Sequence, residues 1–424
     1  MFELEKQLKK FSLEGRMSKV KQLSQTILEK YPTNENARQA LMEYYFRNKN
    51  YTECLKQSSK LLVITPNNKL AMQQSILCHI ELKKYLAAKD KISTYLASFG
   101  VDTVVLLLEA EVAVCMQDFD KALAVYQELQ TFSPNYFSQE TLKQRPNDRQ
   151  HFINVSNLLK RDAYMQMELC LGISFRLDLA IKGFFGLVKQ VKNHKLQCGS
   201  FFNMPNLTAK PFYQLDEIPD LKNFVEQIVS HKSLLKFIIA NADKESYMDA
   251  IDAKSSKDQW QLLSKKWQSI HILKVAQEYS VTPEIEKIQK IFTNNIIADC
   301  PPHAPEAFIS ILPADTVIPP HYGLSNIKLT VHLPIFVDEN SSLTVAGKIK
   351  YWCDEEVIIF DDSFLHSARN HSSKTRSILI FDIWHPDLKQ QEREAIKTFM
   401  KTYDTWSCEY GSLSKASNMA LVDS

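Results

Sequence analysis

The sequence predicts a multidomain chain: an amino-terminal α-solenoid followed by a double-stranded β-helix of the jelly-roll kind. Three observations predict it. The 424 residues exceed what one ordinary core organises and fit two or three domains. A 34-residue period runs through the first third of the chain. After Thr282 the texture changes to short apolar runs, alternating or uninterrupted, separated by turn sequences.

The period is carried by punctuation and by small residues. Pro32, Pro66 and Pro134 stand one and two 34-residue units apart, and the missing boundary falls at Gly100. Twelve residues before these boundaries stand Val20, Cys54, Ala88 and Ala122, all small. Apolar residues recur at helical spacing, as in Val104, Leu107, Leu108 and Val112, and the turns NKNY and MQDF part the helices of a pair. Antiparallel helices that cross closely need small side chains, and proline fits where a helix starts or stops. The segment resembles the tetratricopeptide repeat, with three clear units behind a degenerate front helix. Such an array stacks into a concave surface that holds a protein or peptide. A structural cap on the next domain is the alternative.

Composition excludes several classes. With 51 basic and 49 acidic side chains, the net charge of +2 carries no electrostatic signature of nucleic-acid binding. The eight cysteines lie far apart without a CxxC pair, so neither a thiolate zinc site nor a disulfide framework is indicated. No apolar run reaches membrane-spanning length, and the charged start MFELEKQLKK has no signal-peptide h-region. The expectation is a cytoplasmic protein with no membrane span and no nucleic-acid partner.

Residues 135–148 read as a polar linker, and helical periodicity returns over 155–192. Helices are expected at 220–229, 233–246, 256–266 and 284–292, with a closing helix at 390–403. Between the last two lie the strands AFISIL, KLTVHLPIFV, LTVAGKIKYW, EEVIIF and RSILIFDIW, which suggest a cupin-like barrel. In KLTVHLPIF, Leu329, Val331 and Leu333 share one face, and Lys328, Thr330 and His332 share the other. That second face lines a polar interior or meets solvent.

His321 follows a proline-rich turn and His366 follows DDSFL, 45 residues later, so any shared site requires the barrel to join strand ends. Two imidazoles plus a carboxylate would make the facial triad of a non-haem iron oxygenase, but Gly323 occupies the usual place of the acid. Arg376 opens the last long strand. It either reaches a buried anion with its planar fork or is an ordinary strand-end cation. His303, His371, His194, His231 and His271 read as surface or packing residues, Trp384 and His385 as a seal at the barrel rim, and Asp361 and Asp362 as turn formers.

The stretch 310–386 closely resembles the aspartyl/asparaginyl β-hydroxylase family of Fe(II)- and 2-oxoglutarate-dependent oxygenases. The matching elements are Ser310 with PHYG at 320–323, IKLTVHL, Trp352, VIIFDDSFLH and RSILIFDIWHP. This family places a glycine where the triad acid would stand, which makes Gly323 an agreement. The resemblance implies that His321 and His366 ligate Fe(II), that Arg376 and Ser310 hold the distal carboxylate of 2-oxoglutarate, and that His332 contacts its metal-proximal carboxylate. It also implies consumption of O2 and hydroxylation of an Asp- or Asn-like side chain in a protein or peptide, with release of succinate and CO2.

Lys328-x-Thr330-x-His332 departs from the Arg-x-Arg-x-His of the animal enzymes, which makes Lys328 and Thr330 the substrate-facing positions in question. A lipid or small-molecule substrate, or a non-catalytic repeat scaffold with a vestigial oxygenase domain, is the alternative. The expected domains are 1–134 repeats, 135–200 helical extension or linker, and 201–424 oxygenase with its core at 300–386.

Overall fold

The structure, a computed structural model, describes residues 2–199, 201–246, 260, 263, 266–275, 279, 281–293, 295–300, 304–354 and 356–422. It divides into two compact units, Met1–Arg161 with Glu409–Ser424, and Asp162–Cys408. No helix among the described residues is long and apolar enough to cross a membrane.

The first unit is built from helical hairpins in the manner of tetratricopeptide repeats. They pair α1 (Phe2–Leu13) with α2 (Met17–Lys30), α3 (Glu35–Arg47) with α4 (Tyr51–Ile64), α5 (Lys69–Glu81) with α6 (Tyr85–Phe99), and α7 (Thr103–Cys115) with α8 (Phe119–Phe132). The front segment is thus a full hairpin. Val20, Cys54, Ala88 and Ala122 are completely buried on the second helix of each pair. The prolines Pro32, Pro66 and Pro134 each stand one residue beyond a helix C-cap.

Two further 34-residue registers emerge. Asn34, Asn68 and Asp102 cap α3, α5 and α7, each accepting a backbone N–H three residues on at 2.8–2.9 Å. Gly15, Lys49, Lys83 and Gln117 all take positive φ, between 57° and 67°, at the end of the first helix of each hairpin. There the chain closes a Schellman turn, as in Lys49 N to Phe46 O at 2.9 Å and Asn50 N to Tyr45 O at 2.9 Å.

Residues 135–148 are more ordered than a linker. Ser138 caps α9 (Gln139–Gln144), and α10 (Arg149–Gln166) follows. α11 (Phe175–Phe184) belongs to the second unit. Arg176 donates from Nε and Nη2 to the buried Glu392 carboxylate at 2.8 and 2.6 Å, so α11 is tied to the helix that follows the barrel.

In the second unit the described strands form two antiparallel sheets. The larger has the order β1 (Phe212–Tyr213), β9 (Ile358–Phe360), β6 (Lys328–Phe336), β11 (Arg376–Trp384), β4 (Ala307–Leu312), β3 (Gln268–Leu273), β2 (Glu245–Ser246). The smaller has the order β5 (Thr316–His321), β10 (His366–Asn370), β7 (Ser341–Val345), β8 (Lys348–Tyr351). Together they make the double-stranded β-helix, with all named strand pairs antiparallel.

The period-2 alternation gives each long strand two occupations. Leu329, Val331, Leu333, Leu379, Phe381, Ile383, Ile309 and Ile311 pack against α12 (Pro219–Ser230), α13 (Lys232–Asn241) and α14 (Pro283–Gln289), through Leu221, Phe224, Leu235 and Ile285. Ile378, Ile358, Phe360 and Leu312 turn the other way, onto Leu343, Val345 and Trp352.

Two sequence readings need correction. The helix expected over 233–246 stops at Asn241, because Glu245 and Ser246 pair with Ser269 and Gln268. The closing helix, here α15, runs Gln390–Val422 rather than ending at 403. The helix expected over 256–266 falls mostly outside the described residues.

The positive φ at Lys49, Lys83 and Gln117 costs a non-glycine residue about 1–2 kcal/mol, part of which glycine gives back through its freer unfolded chain. Each of Lys49→Gly, Lys83→Gly and Gln117→Gly is therefore expected to stabilise the helical unit by about 0.5–1 kcal/mol in urea unfolding. A loss of stability at all three would contradict the turn geometry.

Candidate active site

His321 closes β5 and His366 opens β10, and antiparallel pairing sets these two residues directly opposite each other. Their ring centroids are 4.1 Å apart. His321 Nδ1 lies 2.8 Å from the Pro319 carbonyl, and His366 Nδ1 lies 2.9 Å from the Phe364 carbonyl. A carbonyl only accepts, so both Nδ1 atoms carry the proton and both Nε2 atoms keep a lone pair. Burial pushes both imidazoles down to about 4, His321 further by its neighbour His366. Both are therefore neutral near pH 7, the form that binds a metal. Imidazole–metal bonds of about 2 Å place one ion within reach of both rings. Among the described residues no group of three His, Cys, Asp or Glu side chains gathers as a metal cage.

Gly323 stands where a third ligand would extend, and a neighbour explains the glycine. A Cβ built there would lie 2.2 Å from both Cγ and Oδ2 of Asp362. The Gly323 N–H donates to the Asp362 carbonyl at 2.7 Å, which holds the two segments together. Asp362 is 9% exposed, and its Oδ1 has no hydrogen-bond partner among the described residues. Asp361 differs: it accepts from Ser363 N at 3.0 Å, from Ser363 Oγ at 2.5 Å and from Gln197 Nε2 at 2.7 Å, and so tethers the loop before His366. Burial, partly countered by these Ser363 bonds, pushes its carboxyl up to about 7.

A row of rings leads from this pair to Arg376. Phe360 is 5.4 Å from His366, His332 is 4.9 Å from Phe360, and Trp352 is 5.8 Å from His332 in a stacked arrangement. The Arg376 guanidinium lies 4.8 Å over the Trp352 ring. Arg376 is 2% exposed and donates from Nη2 to Ser310 Oγ at 2.9 Å. Trp267 Nε1 donates to the same oxygen at 2.9 Å, so the Ser310 hydroxyl proton remains for another acceptor. Arg376 Nε, Trp352 Nε1 and His332 Nδ1 are buried with no hydrogen-bond partner among the described residues. Burial alone pushes the guanidinium down to about 9, with no carboxylate among the described residues to oppose it. His332 is held well below its ordinary value by burial, then by Arg376 and His366. Unpaired donors around a buried cation make a cradle for an anion.

Lys328 and Thr330 lie on the same face of β6 and turn to Asp382 of β11, where Thr330 pairs directly with Asp382. Thr330 Oγ1 donates to Asp382 Oδ1 at 2.8 Å, and Lys328 Nζ bridges Asp382 Oδ2 at 2.5 Å and Asp362 Oδ2 at 3.2 Å. Burial opposes the lysine charge, but Asp362 and Asp382 outweigh it and hold its pKa well above the ordinary value. The second face of β6 is thus a buried polar interior, with Thr330 and His332 each 6% exposed.

Sequence reasoning did not single out Trp267, Asp382 or Glu306. The first two were legible only as an indole at a strand start and an acid inside an apolar strand. His371 is half-exposed, 3.8 Å from Asp315, and His303 lies outside the described residues. His385 is buried between Tyr213 Oη and the Thr208 carbonyl, each at 3.0 Å, and Trp384 Nε1 donates to Asp299. His271 is buried on β3 beside Phe308, not at the surface.

Residues 235–386 match the family model for aspartyl/asparaginyl β-hydroxylase. The aspartate β-hydroxylase domain-containing protein 2 of Xenopus tropicalis is 26% identical over 213 residues, covering 46% of this chain and 55% of the relative. The human aspartyl/asparaginyl β-hydroxylase is 38% identical over 88 residues, 20% of this chain and 12% of that protein. The chain therefore spans about half or less of the curated relatives it matches. A 2OG-Fe(II) oxygenase-family oxidoreductase from Burkholderia pseudomallei aligns at 12% identity and TM-score 0.28, covering 43% of this chain and 98% of that one. That overlap is low, and the fold rests on the strand pairing above.

The contact between Gly323 and Asp362 is testable by a mutant cycle. Gly323→Ala is expected to cost about 1–3 kcal/mol by overpacking, and much less in an Asp362→Ala background. Equal costs in the two backgrounds, read by denaturant unfolding, would contradict the mutual fit.

Proposed function

We propose that the chain is an Fe(II)- and 2-oxoglutarate-dependent hydroxylase that modifies a side chain of a protein or peptide, consuming O2 and releasing succinate and CO2. The observation that carries this reading is Arg376: a guanidinium 2% exposed, with no carboxylate on it among the described residues. An uncompensated buried charge is expensive, and a ligand carboxylate supplies the compensation. The residues fit the cofactor set, since two neutral imidazoles face each other and the anion cradle joins them through Phe360, His332 and Trp352.

His321 and His366 would hold Fe(II) through Nε2, with Nδ1 of each fixed by a backbone carbonyl. Arg376 and the free proton of Ser310 would bind the distal carboxylate of 2-oxoglutarate, and His332 would contact its other end. Bound Fe(II) supplies the activation of O2 that inserts oxygen into a C–H bond. The protein's part is to orient: the Trp352 and Phe360 rings exclude water, and the hydrogen-bonded histidines fix where the reacting groups meet. The family match supports hydroxylation as the reaction class. The repeat array supports a protein or peptide as the substrate, docked on its concave side.

With Fe(II), O2 and 2-oxoglutarate, the purified protein is expected to release succinate slowly without added substrate. His321→Ala and His366→Ala should abolish both metal binding and turnover. Arg376→Met should weaken 2-oxoglutarate binding by about 10- to 100-fold, the worth of charge-assisted hydrogen bonds of about 1.5–3 kcal/mol, while Mn(II) still binds. Failure of the intact protein to bind Fe(II) or Mn(II) would overturn the proposal.

A further inference from the structure

The segment that follows α11 is turned inside out. Leu187, Val188, Val191 and Leu196 are 38–46% exposed. Polar side chains anchor the loop instead: Asn193 Nδ2 donates to the Met204 carbonyl and Asn193 Oδ1 accepts from Asn206 N, both at 2.8 Å, while the buried Gln197 donates to the buried Asp361. Polar groups inward and apolar groups outward reverse the usual order. Between the apolar residues stand Lys189, Lys192 and Lys195, spaced three apart, all exposed and none in an ion pair among the described residues. From 179 to 215 the chain has five lysines and no acid, in a sequence that otherwise balances 51 basic against 49 acidic residues. The surface continues to the histidines. Gln197 bridges Phe364 in antiparallel register, which sets Leu196 beside Leu365, the residue before His366. Phe201 N donates at 2.8 Å to the carbonyl of Leu324, three residues after His321. Leu365 and Leu324 are themselves 40% and 51% exposed.

We propose that this basic and apolar segment docks the protein on an anionic lipid surface. Single exposed apolar residues are ordinary, but a run of them threaded with unpaired lysines is not. A lipid surface serves both halves of the pattern. Leucine and valine side chains enter the boundary between headgroups and acyl chains, and the lysine stems lie along it with their ammonium groups at the phosphates and carboxylates. An acidic protein face would pair the lysines but set Leu187, Val188 and Val191 against charges. An apolar protein face would cover the lysines without counterions, which is costly. Leu365 and Leu324 then bring the histidine pair close to the headgroups. The docking stands independently of the oxygenase reading; only its consequence, that the substrate is met at a membrane, rests on that reading.

The test floats the full chain with vesicles of phosphatidylcholine alone, or of phosphatidylcholine and phosphatidylserine mixed about three to one. Binding to the anionic vesicles is expected to be at least about tenfold tighter, and to weaken as salt is raised. Joint replacement by Lys189→Gln, Lys192→Gln and Lys195→Gln should cost at least about tenfold of that affinity, with the urea midpoint unchanged because all three side chains are exposed. Val188→Trp supplies a reporter. Relative to the unaltered chain, its emission should shift to the blue on anionic vesicles and be quenched by brominated acyl chains, which contact with an acidic protein would not produce. Equal or absent binding to the two vesicles, or unchanged binding by the lysine variant, overturns the proposal. Soluble polyglutamate that binds as tightly as the anionic vesicles, with no emission shift, overturns it in favour of an acidic protein partner. Succinate release in the absence of vesicles tests the oxygenase reading separately.

Discussion

A buried arginine with no anion on it among the described residues organises the barrel. Arg376 opens β11 in a place where its side chain is 2% exposed, and taking an unpaired guanidinium out of water costs several kcal/mol. The fold meets part of that cost with the Ser310 oxygen and the Trp352 ring face. The rest is left open to a ligand. The core on the outer face of the large sheet, from Phe224 to Ile383, supplies the stability that lets the inner face stay polar and incompletely satisfied.

That division follows from strand alternation. β6 and β11 each send odd-numbered residues into the helix-backed core and even-numbered residues inward: Lys328, Thr330 and His332 on one strand, Arg376 and Asp382 on the other. The facing imidazoles come from the small sheet instead, where β5 and β10 meet with His321 against His366. One sheet therefore carries Arg376, Lys328 and Asp382 while the other carries the two imidazoles, and Phe360, His332 and Trp352 fill the space that joins them. A change of register by one residue in either long strand would exchange core and site together.

Much of this organisation is written locally. The 34-residue period was readable because each repeat needs the same buried small residue, and the caps at Asn34, Asn68 and Asp102 repeat the same local chemistry. The alternation in KLTVHLPIF showed two unlike faces but not which one was buried, since that depends on the opposite sheet. Short elements escaped: α9 has only six residues, too few to show a period. The fit of Asp362 against Gly323 and the bridge from Lys328 to Asp382 join residues 39 and 54 positions apart. Nothing local encodes such contacts, and Asp362 reads as a turn former until the turn is closed.

The dependence of the site on a second carboxylate is its most exposed claim. Thermal unfolding of the Mn(II)-loaded chain, with 2-oxoglutarate compared against 2-oxobutyrate, isolates the group meant for Arg376, because the two share the keto acid and differ in the distal carboxylate. The account predicts a raised midpoint with 2-oxoglutarate and a much smaller one with 2-oxobutyrate, through selective binding to the folded state. Equal shifts with the two acids, or no shift with 2-oxoglutarate, would contradict it.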